Sequence, residues 1–559
     1  MERLKTRPES WQALEVTLLA VTLVSKEIRD WMDAHTRGKD AERAEDAQRS
    51  HALVSALVNE LLVNASLSSV PLVLAAGCNL VGSFATLVGG GRYGRPRFGS
   101  VTVGVAAGAG AGGDAGAGER VPVNSGVLLP RALGYLSAGL QHEASRDRAA
   151  ISVRTLAASC ERAIVANPAA LEALLQTLQV ATLAGGDIEA RLTLVEASVR
   201  VLPAVDPASG SAMLMGLLSP LMHVLAQGLQ SATPDETAIS EALQLLAQAV
   251  RFLDVRDMPP APSPGSPARS PAGTHGAAAG GAGEGGGQPT HMSTELVRTL
   301  WPMLEAVPGR LGGSAEIIRQ LFLLVGKMLT SLRMVLARQV HIPTLLKMIM
   351  DCYDERQYSC CLDIMTTTVE VYGGADEAME HFRAILGRAS ARTFATLDTA
   401  LRLAVACVGA SDLERESARA VLVFLGQLAG RCGGQLERFK GEIERAVAPH
   451  GEGLTRLMFA ALAGASPSLL WPNLIDALYA LLRAFSEPQH QGMSHQWVLG
   501  ALSDDQVCAA LGEEERQHVM DAVFRLLNDS RTRFKALMLD LAKICHNEMT
   551  KDGLLAYFL

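Results

Sequence analysis

The sequence predicts an all-α protein built from helix pairs stacked in series, and three observations lead there. The first is composition: 48% of the 559 residues are hydrophobic but only 4% are aromatic, and Ala and Leu dominate. Small and straight-chain apolar residues favour helix-on-helix layers, whereas a sandwich or barrel draws on Val, Ile, Thr and aromatics. The second is the spacing of apolar residues, and the third is the spacing of helix signals.

Apolar spacing is helical wherever the chain is not rich in Gly and Pro. In "EALQLLAQAVRFL", Leu243, Leu246, Ala249, Val250 and Leu253 recur at three and four residues, with Gln244, Gln248 and Arg251 elsewhere. In "LLWPNLIDALYALLRAF", Leu470, Leu474, Ile475, Leu478, Leu481 and Leu482 make a broader stripe, as expected of a helix covered on more than one side.

A proline ahead of an apolar helix recurs at Pro130, Pro220, Pro302, Pro343 and Pro472, and Trp301-Pro302 and Trp471-Pro472 share the local sequence LWPxL. Proline suits the first helical turn, where its missing N–H has no partner in any case, so each is expected to open a helix. The intervals are 90, 82, 41 and 129 residues. Once roughly 35 residues are removed for a Pro- and Gly-rich stretch inside the 82, all fall near multiples of about 40 to 47, the period of HEAT and armadillo repeats. The expected fold is therefore an α-solenoid, a superhelix in which neighbouring repeats bury the faces that one repeat cannot bury alone. Its concave surface, lined by the second helices, is the expected binding surface for proteins.

Two segments interrupt the pattern. Residues 89–120 are Gly-rich and residues 256–290 are rich in Pro, Gly and Ser, too poor in apolar groups to offset the entropy of ordering. The expected organisation is thus HEAT-like repeats over 1–88, a flexible insertion over 89–120, repeats over 121–255, a disordered insertion over 256–290, and repeats with C-terminal capping helices over 291–559. Ser263, Ser266 and Ser270 each precede proline in the second insertion and are composition-typical of a linker, with phosphorylation as the alternative.

A formal charge of −8 offers no general attraction to nucleic acid or to an anionic membrane, and accommodates a basic partner more easily. Nine cysteines without CxxC spacing, behind an N-terminus lacking an apolar signal core, suit a reducing compartment without disulfides. The uncharged stretch Leu61–Gly91 is long enough to span a bilayer, but Asn64, Pro71 and Asn79 dilute it, so a buried helix pair is expected and no membrane insertion.

Candidate chemistry is sparse. Cys360 and Cys361 stand at the head of an apolar stretch, but neighbours on a helix point about 100° apart, and neither His341 nor His381 is tied to them by a signature. Buried packing is the expected role, with a thiol enzyme as the rival. His490 and His495 are expected on a solvated loop. "GGGRYGRPRFG" lacks the Lys-Ser/Thr of a phosphate-binding loop. No catalytic residue, cofactor or metal site is expected, and the chain is not read as an enzyme.

The stretch "LWPMLEAVPGRLGGSAEIIRQLFLLVGKML", followed by "IPTLLKMIMDCYDERQYSCCLDIMTTTVEVYGG", resembles the C-terminal half of the transportin-3 and importin-13 branch of the importin-β (karyopherin-β) superfamily. Upstream, "VLAAGCNLVGSF", "LLPRALGYLSAGL" and "AAISVRTLAASCERAIVANPAALEALLQTL" are similar to successive repeats in the same order, and "RTRFKALMLDLAKICHNEM" looks like the last helix. The resemblance implies a nuclear import receptor that shuttles between cytoplasm and nucleus. Its implied partners are protein cargo such as splicing factors or other nuclear proteins, nucleoporins, and Ran-GTP in a full-length protein, with no direct nucleic-acid contact. A HEAT scaffold or regulatory subunit unrelated to transport is the alternative.

Two departures from the family pattern bear on this reading. Family members carry further repeats, including the Ran-binding ones, ahead of the matched region, which implies a partial protein. Their arginine-rich cargo helix corresponds to about Glu316–Leu332, and here only Arg319, Lys327 and Arg333 remain near it as cargo-binding candidates. On an ideal helix Arg319 and Lys327 lie roughly 80° apart, which argues against a multi-arginine phosphoserine clamp.

Overall fold

The computed structural model describes residues 11–36, 41–63, 69–88, 125–183, 187–253, 292–340, 342–356, 358–372, 447–464, 468–486 and 490–554, with single positions at 419, 422–424, 426, 445 and 557. Every regular element among them is a helix. The two insertions expected at 89–120 and 256–290 lie outside the described residues, as do His341 and His381. The chain divides into two compact units, Met1–Val224 with Gln244–Leu296, and Leu225–Leu243 with Val297–Leu559.

The first unit opens with α1 (Trp11–Leu23), α2 (Ser25–Thr36), α3 (Ala41–Val63), α4 (Pro71–Ser83) and α5 (Ala85–Val88). It continues with α6 (Ser125–Leu140), α7 (Glu143–Val165), α8 (Pro168–Leu183) and α9 (Ile188–Val201). Two helices, α10 (Pro207–Gln230) and α11 (Glu236–Arg251), are divided between the units.

The main packing partners in this unit are not neighbours in sequence. α1 packs on α4, α4 on α7 and α7 on α9, while α6 packs on α8. The contacts of α6 with α7 and of α8 with α9 join the two layers. From α6 to α9 a helix therefore has its sequence neighbour in the opposite layer and its next-but-one neighbour beside it, the arrangement of a helical-repeat solenoid. Helix pairs begin at Ser125, Pro168 and Pro207, 43 and 39 residues apart, close to the expected period.

Burial explains the periodicity read from the sequence. Leu243, Leu246, Ala249, Val250 and Leu253 are all buried, but so are Ala242, Leu245 and Ala247. α11 is thus covered on more than the one stripe its pattern suggested, leaving Gln244, Gln248 and Arg251 at its edge. Each fully buried leucine contributes roughly 1.5–3 kcal/mol.

The uncharged stretch that begins at Leu61 is not one span: it is divided among the end of α3, α4 and α5, and α4 and α5 are largely buried. Among the described residues, Ala208–Gln230 is the one helix long and apolar enough by composition to cross a membrane, and it is partly buried within the fold.

The second unit holds α12 (Ser293–Leu311), whose first turn belongs to the other unit, α13 (Ala315–Ser331), α14 (Arg333–Gln339), α15 (Ile342–Arg356) and α16 (Ser359–Tyr372). Farther along come α17 (Gly451–Ala463), α18 (Trp471–Ala484), α19 (Gln491–Leu502), α20 (Asp505–Ala510), α21 (Glu513–Asp529) and α22 (Arg531–Cys545). α13 and α15 both pack on α16. α17 lies against α18, α19 and α22, and α18 against α21 and α22. Leu470, Leu474, Ile475, Leu478, Leu481 and Leu482 are buried here, as their stripe requires.

The proline signal needs correcting. Pro343 and Pro472 do open helices, but Pro130, Pro220 and Pro302 lie inside α6, α10 and α12. An interior proline forfeits a backbone hydrogen bond and crowds the preceding turn. Here the residues just upstream are core: Leu128 and Leu129, Leu217 and Leu218, and Leu300 and Trp301 are buried, so tertiary packing holds the turn that proline disfavours. Pro71, Pro168 and Pro207, absent from the predicted set, each begin a helix.

The two histidines expected on a loop also differ. His490 precedes α19 with its ring edge-on to Phe485 at 5.6 Å, and His495 lies within α19, stacked on Phe524 at 3.8 Å. Aromatic packing on α21 and on the end of α18 holds both rings against the fold.

Candidate functional site

The predicted cargo segment is α13, an amphipathic helix whose inner face buries Ile317, Ile318, Leu321, Phe322, Leu324, Val325, Met328 and Leu329. Leu323 stands out of this face, 46% exposed. The helix starts after Ser314, which does not cap it but donates its hydroxyl to Glu236 of α11 at 2.7 Å.

Arg319 projects outward but is already engaged. Its Nε and one terminal nitrogen each lie 2.9 Å from the two Glu316 oxygens, and Gln320 donates to the same carboxylate at 2.8 Å. Burial would raise the Glu316 carboxyl, but the bonds from Gln320 and Arg319, the Arg319 charge and a bond from Ser240 outweigh it and hold the carboxyl below its ordinary value. Lys327 is half-buried on the same helix.

Leu332, at φ −112° and ψ 24°, ends α13, and Arg333 opens the separate helix α14. The three predicted residues are therefore two on one helix and one beyond its break. Arg333 is exposed, and its carbonyl accepts the Tyr372 hydroxyl of α16 at 2.8 Å. Lys327 and Arg333 form no ion pair among the described residues.

The adjacent cysteines fall in the first turn of α16, where the Cys361 N–H donates to the Tyr358 carbonyl at 3.1 Å. Cys361 is buried, and its hydrogen bond with Cys360 together with burial pushes its thiol well above the ordinary value. Burial likewise pushes Cys352 up to about 12, with Cys360 and nearby carboxylates adding to it. A thiol held protonated is a poor nucleophile and a poor ligand. Among the described residues no group of three His, Cys, Asp or Glu side chains could hold a metal ion.

A polar constellation that the sequence reading missed lies in the first unit. Glu196, midway along α9, is buried, yet it meets partners on the helices to either side. Arg154 of α7 lies 3.8 Å from it and Gln248 of α11 donates to it at 3.3 Å. Within α9 itself, Arg200 donates its Nε to Glu196 at 3.0 Å, with a terminal nitrogen at 2.9 Å.

Four residues further along, Arg200 sits over the Phe252 ring, 4.4 Å from its centroid, and Arg251 lies over the same ring at 5.4 Å. Glu161 of α7 feels the charges of Arg162 and Arg200, though burial dominates and raises its carboxyl. The contacts advance in one direction along α7, α9 and α11, so these helices run parallel, side by side. The legible hint was a Glu four residues ahead of an Arg inside an apolar run, "VEASVR".

These features define a class: a HEAT-type α-solenoid, with no catalytic constellation among the described residues. Comparison with solved structures agrees on the fold. A structure described as importin-13 in its cytosolic state matches 98% of this chain with a TM-score of 0.51 and 12% identity. Importin-β in an ammonium sulfate condition and Kap95p in a study of its binding to RanGDP align over 96% of the chain, at TM-scores of 0.42 and 0.41 and identities of 11% and 13%, too low to carry an argument. The chain spans 60% of the importin-13 chain and 59% of each of the other two. No protein-family model matches the sequence, and no curated protein matches it.

Proposed function

We propose that the chain is a nuclear transport receptor of the importin-β type that binds protein cargo on the helix faces of its repeats. The observation that carries the reading is the match of 98% of the chain to the importin-13 fold, in company with the ordered series of repeat sequences that resembles that branch. Arg319, Lys327 and Arg333 are the cargo contacts of this reading. Lys327 and Arg333 offer charge directly, and Arg319 does so by exchanging Glu316 for a cargo carboxylate or phosphate. Cargo release by Ran-GTP, docking to nucleoporins and shuttling between cytoplasm and nucleus belong to the same proposal.

The test uses permeabilised cells and a fluorescent fusion of the chain. Accumulation at the nuclear rim and interior beyond that of an inert protein of equal size, with bound nuclear proteins lost on adding Ran-GTP, is the expected result. Exclusion from nuclei, or cargo indifferent to Ran-GTP, favours the scaffold alternative and removes the transport reading.

A further inference from the structure

We infer that the outer face of α1 is a self-association surface, on which two copies of the chain pair antiparallel through Val16, Ala20 and Leu23, with Glu15 of each copy bound to Lys26 of the other. The surface shares no residue with the Arg319, Lys327 and Arg333 site and does not require the transport reading.

Helix α1 is apolar on both sides and covered on one. Between Trp11 and Ser25 its single charged residue is Glu15. Leu14 and Leu18 are buried, and α1 packs on α4. Val16 and Leu23 lie roughly 140–180° around an ideal helix from that buried pair, and they are 64% and 81% exposed. Ala13, Ala20 and Val24 are exposed beside them. Thr17, at the edge of this face, donates its hydroxyl to the Ala13 carbonyl at 2.7 Å and so has its polar group satisfied within the helix. Exposed apolar side chains scattered singly are ordinary on a protein surface, whereas a contiguous face of them marks a contact. A helix apolar all round is one that is covered all round.

Charge decides what covers it. Helical bonding continues from α1 into α2, with the Val24 N–H donating to the Ala20 carbonyl at 3.2 Å and the Ile28 N–H to the Val24 carbonyl at 2.9 Å, so Glu15 and Lys26 belong to one rod. They are eleven residues apart, three helical turns to within about 20°, and therefore flank the Val16–Leu23 line on the same side. Lys26 is exposed and Glu15 half-buried, and neither has an ion-pair partner among the described residues.

A parallel pair of such helices would set Glu15 against Glu15 and Lys26 against Lys26. In an antiparallel pair the same flanks meet with the order reversed. Glu15 of each copy comes level with Lys26 of the other when the two-fold axis passes between Ala20 and Val21. Charge alone fixes that register, yet the apolar residues agree with it. Ala20 falls within one residue of its symmetry mate, and Val16 falls within two residues of Leu23 across the axis, about 3 Å along the helix. A small residue at the crossing lets the helices approach toward the short end of the roughly 8–10 Å range of packed pairs. The exposed carboxylates Glu27 and Asp30 fall level with Leu14 and Trp11, at the two ends of the pair, and complete a polar rim around an apolar centre. A second copy supplies every one of these matches by symmetry.

Sedimentation equilibrium of the whole chain at micromolar concentration and physiological salt tests this. The wild type has a mass near twice 59.2 kDa. Leu23→Asp is monomeric, and Glu15→Lys and Lys26→Glu each weaken pairing at least tenfold. An equimolar mixture of those last two variants pairs as tightly as wild type, because each copy then offers the charge that the other lacks. Leu499→Asp, at an exposed leucine of the other unit, leaves the mass unchanged. Thermal melts establish that each variant is folded. A monomeric wild type, which would leave the face to another occupant, overturns the inference. So does a dimer that survives Leu23→Asp, a loss of pairing in Leu499→Asp, or a mixture no more associated than its two components alone.

Discussion

Gly82 of α4 lies directly against Ser152 of α7: a β-carbon on Gly82 would stand 2.8 Å from the Ser152 Cβ and 3.0 Å from its Cα. The Ser152 hydroxyl is nearer still, but turning it away leaves the Cβ and Cα overlaps, so no rotamer change relieves the clash and the two helices would have to part. Gly82→Ala gains up to about 1 kcal/mol of helix propensity but incurs overpacking of about 1–3 kcal/mol, so net destabilisation is expected in urea melts. Gly216, mid-helix in α10 with open space around it, gives the contrary result: Gly216→Ala is expected to stabilise by roughly 0.4–1 kcal/mol.

Leu246 and Leu474 are core positions in different units, both buried. Replacing either with Asp places an unpaired charge in a helix interface and is expected to cost roughly 3–5 kcal/mol. Limited proteolysis should show new cleavage within the unit that carries the change, and an unaltered digest would refute the assigned core.

Thiol alkylation separates buried from exposed cysteines. Cys508 is exposed, with an Arg516 nitrogen 2.9 Å from its sulfur, and is expected to react first. Cys78 and Cys352, which burial pushes up to about 12, stay unreacted in the native protein at pH 9 as at pH 7 and react on unfolding. Because unfolding releases these protons at lower pH than the native state does, stability should fall as pH rises above about 9. Mass mapping of labelled peptides and a melting series across pH 8–11 check the two halves.

At the acid end, Asp476 of α18 is held by two groups of α22, Lys535 at 2.5 Å and Arg531 at 3.1 Å. Burial would raise its carboxyl, but hydrogen bonds from Lys535 and Arg531 and their charges outweigh it and lower the carboxyl. Its contribution is therefore complete above the ordinary carboxylate range and is lost as pH falls through the lowered native value. With the pair more than a third exposed, Asp476→Asn should cost under about 1 kcal/mol at neutral pH, and the difference from wild type should vanish near pH 2 in acid melts.

Helix type and solenoid period were legible in the sequence because both are set by local chemistry. Apolar residues three and four apart can share a buried face only in a helix, and faces that recur every 40-odd residues can be covered only by their neighbours. The stripe positions of α11 and α18 are buried as that pattern requires, although packing covers Ala242, Leu245 and Ala247 of α11 as well. The tertiary structure decided where the pattern is overruled and what its polar groups meet. Pro130, Pro220 and Pro302 lie mid-helix because buried leucines upstream outweigh a missing hydrogen bond. Arg333 is parted from Arg319 by a break at Leu332, and Glu196 finds Arg154 and Gln248 on helices far away in the chain. A local code specifies which face a residue occupies, but the partner across that face comes from a distant helix, and only packing brings the two together.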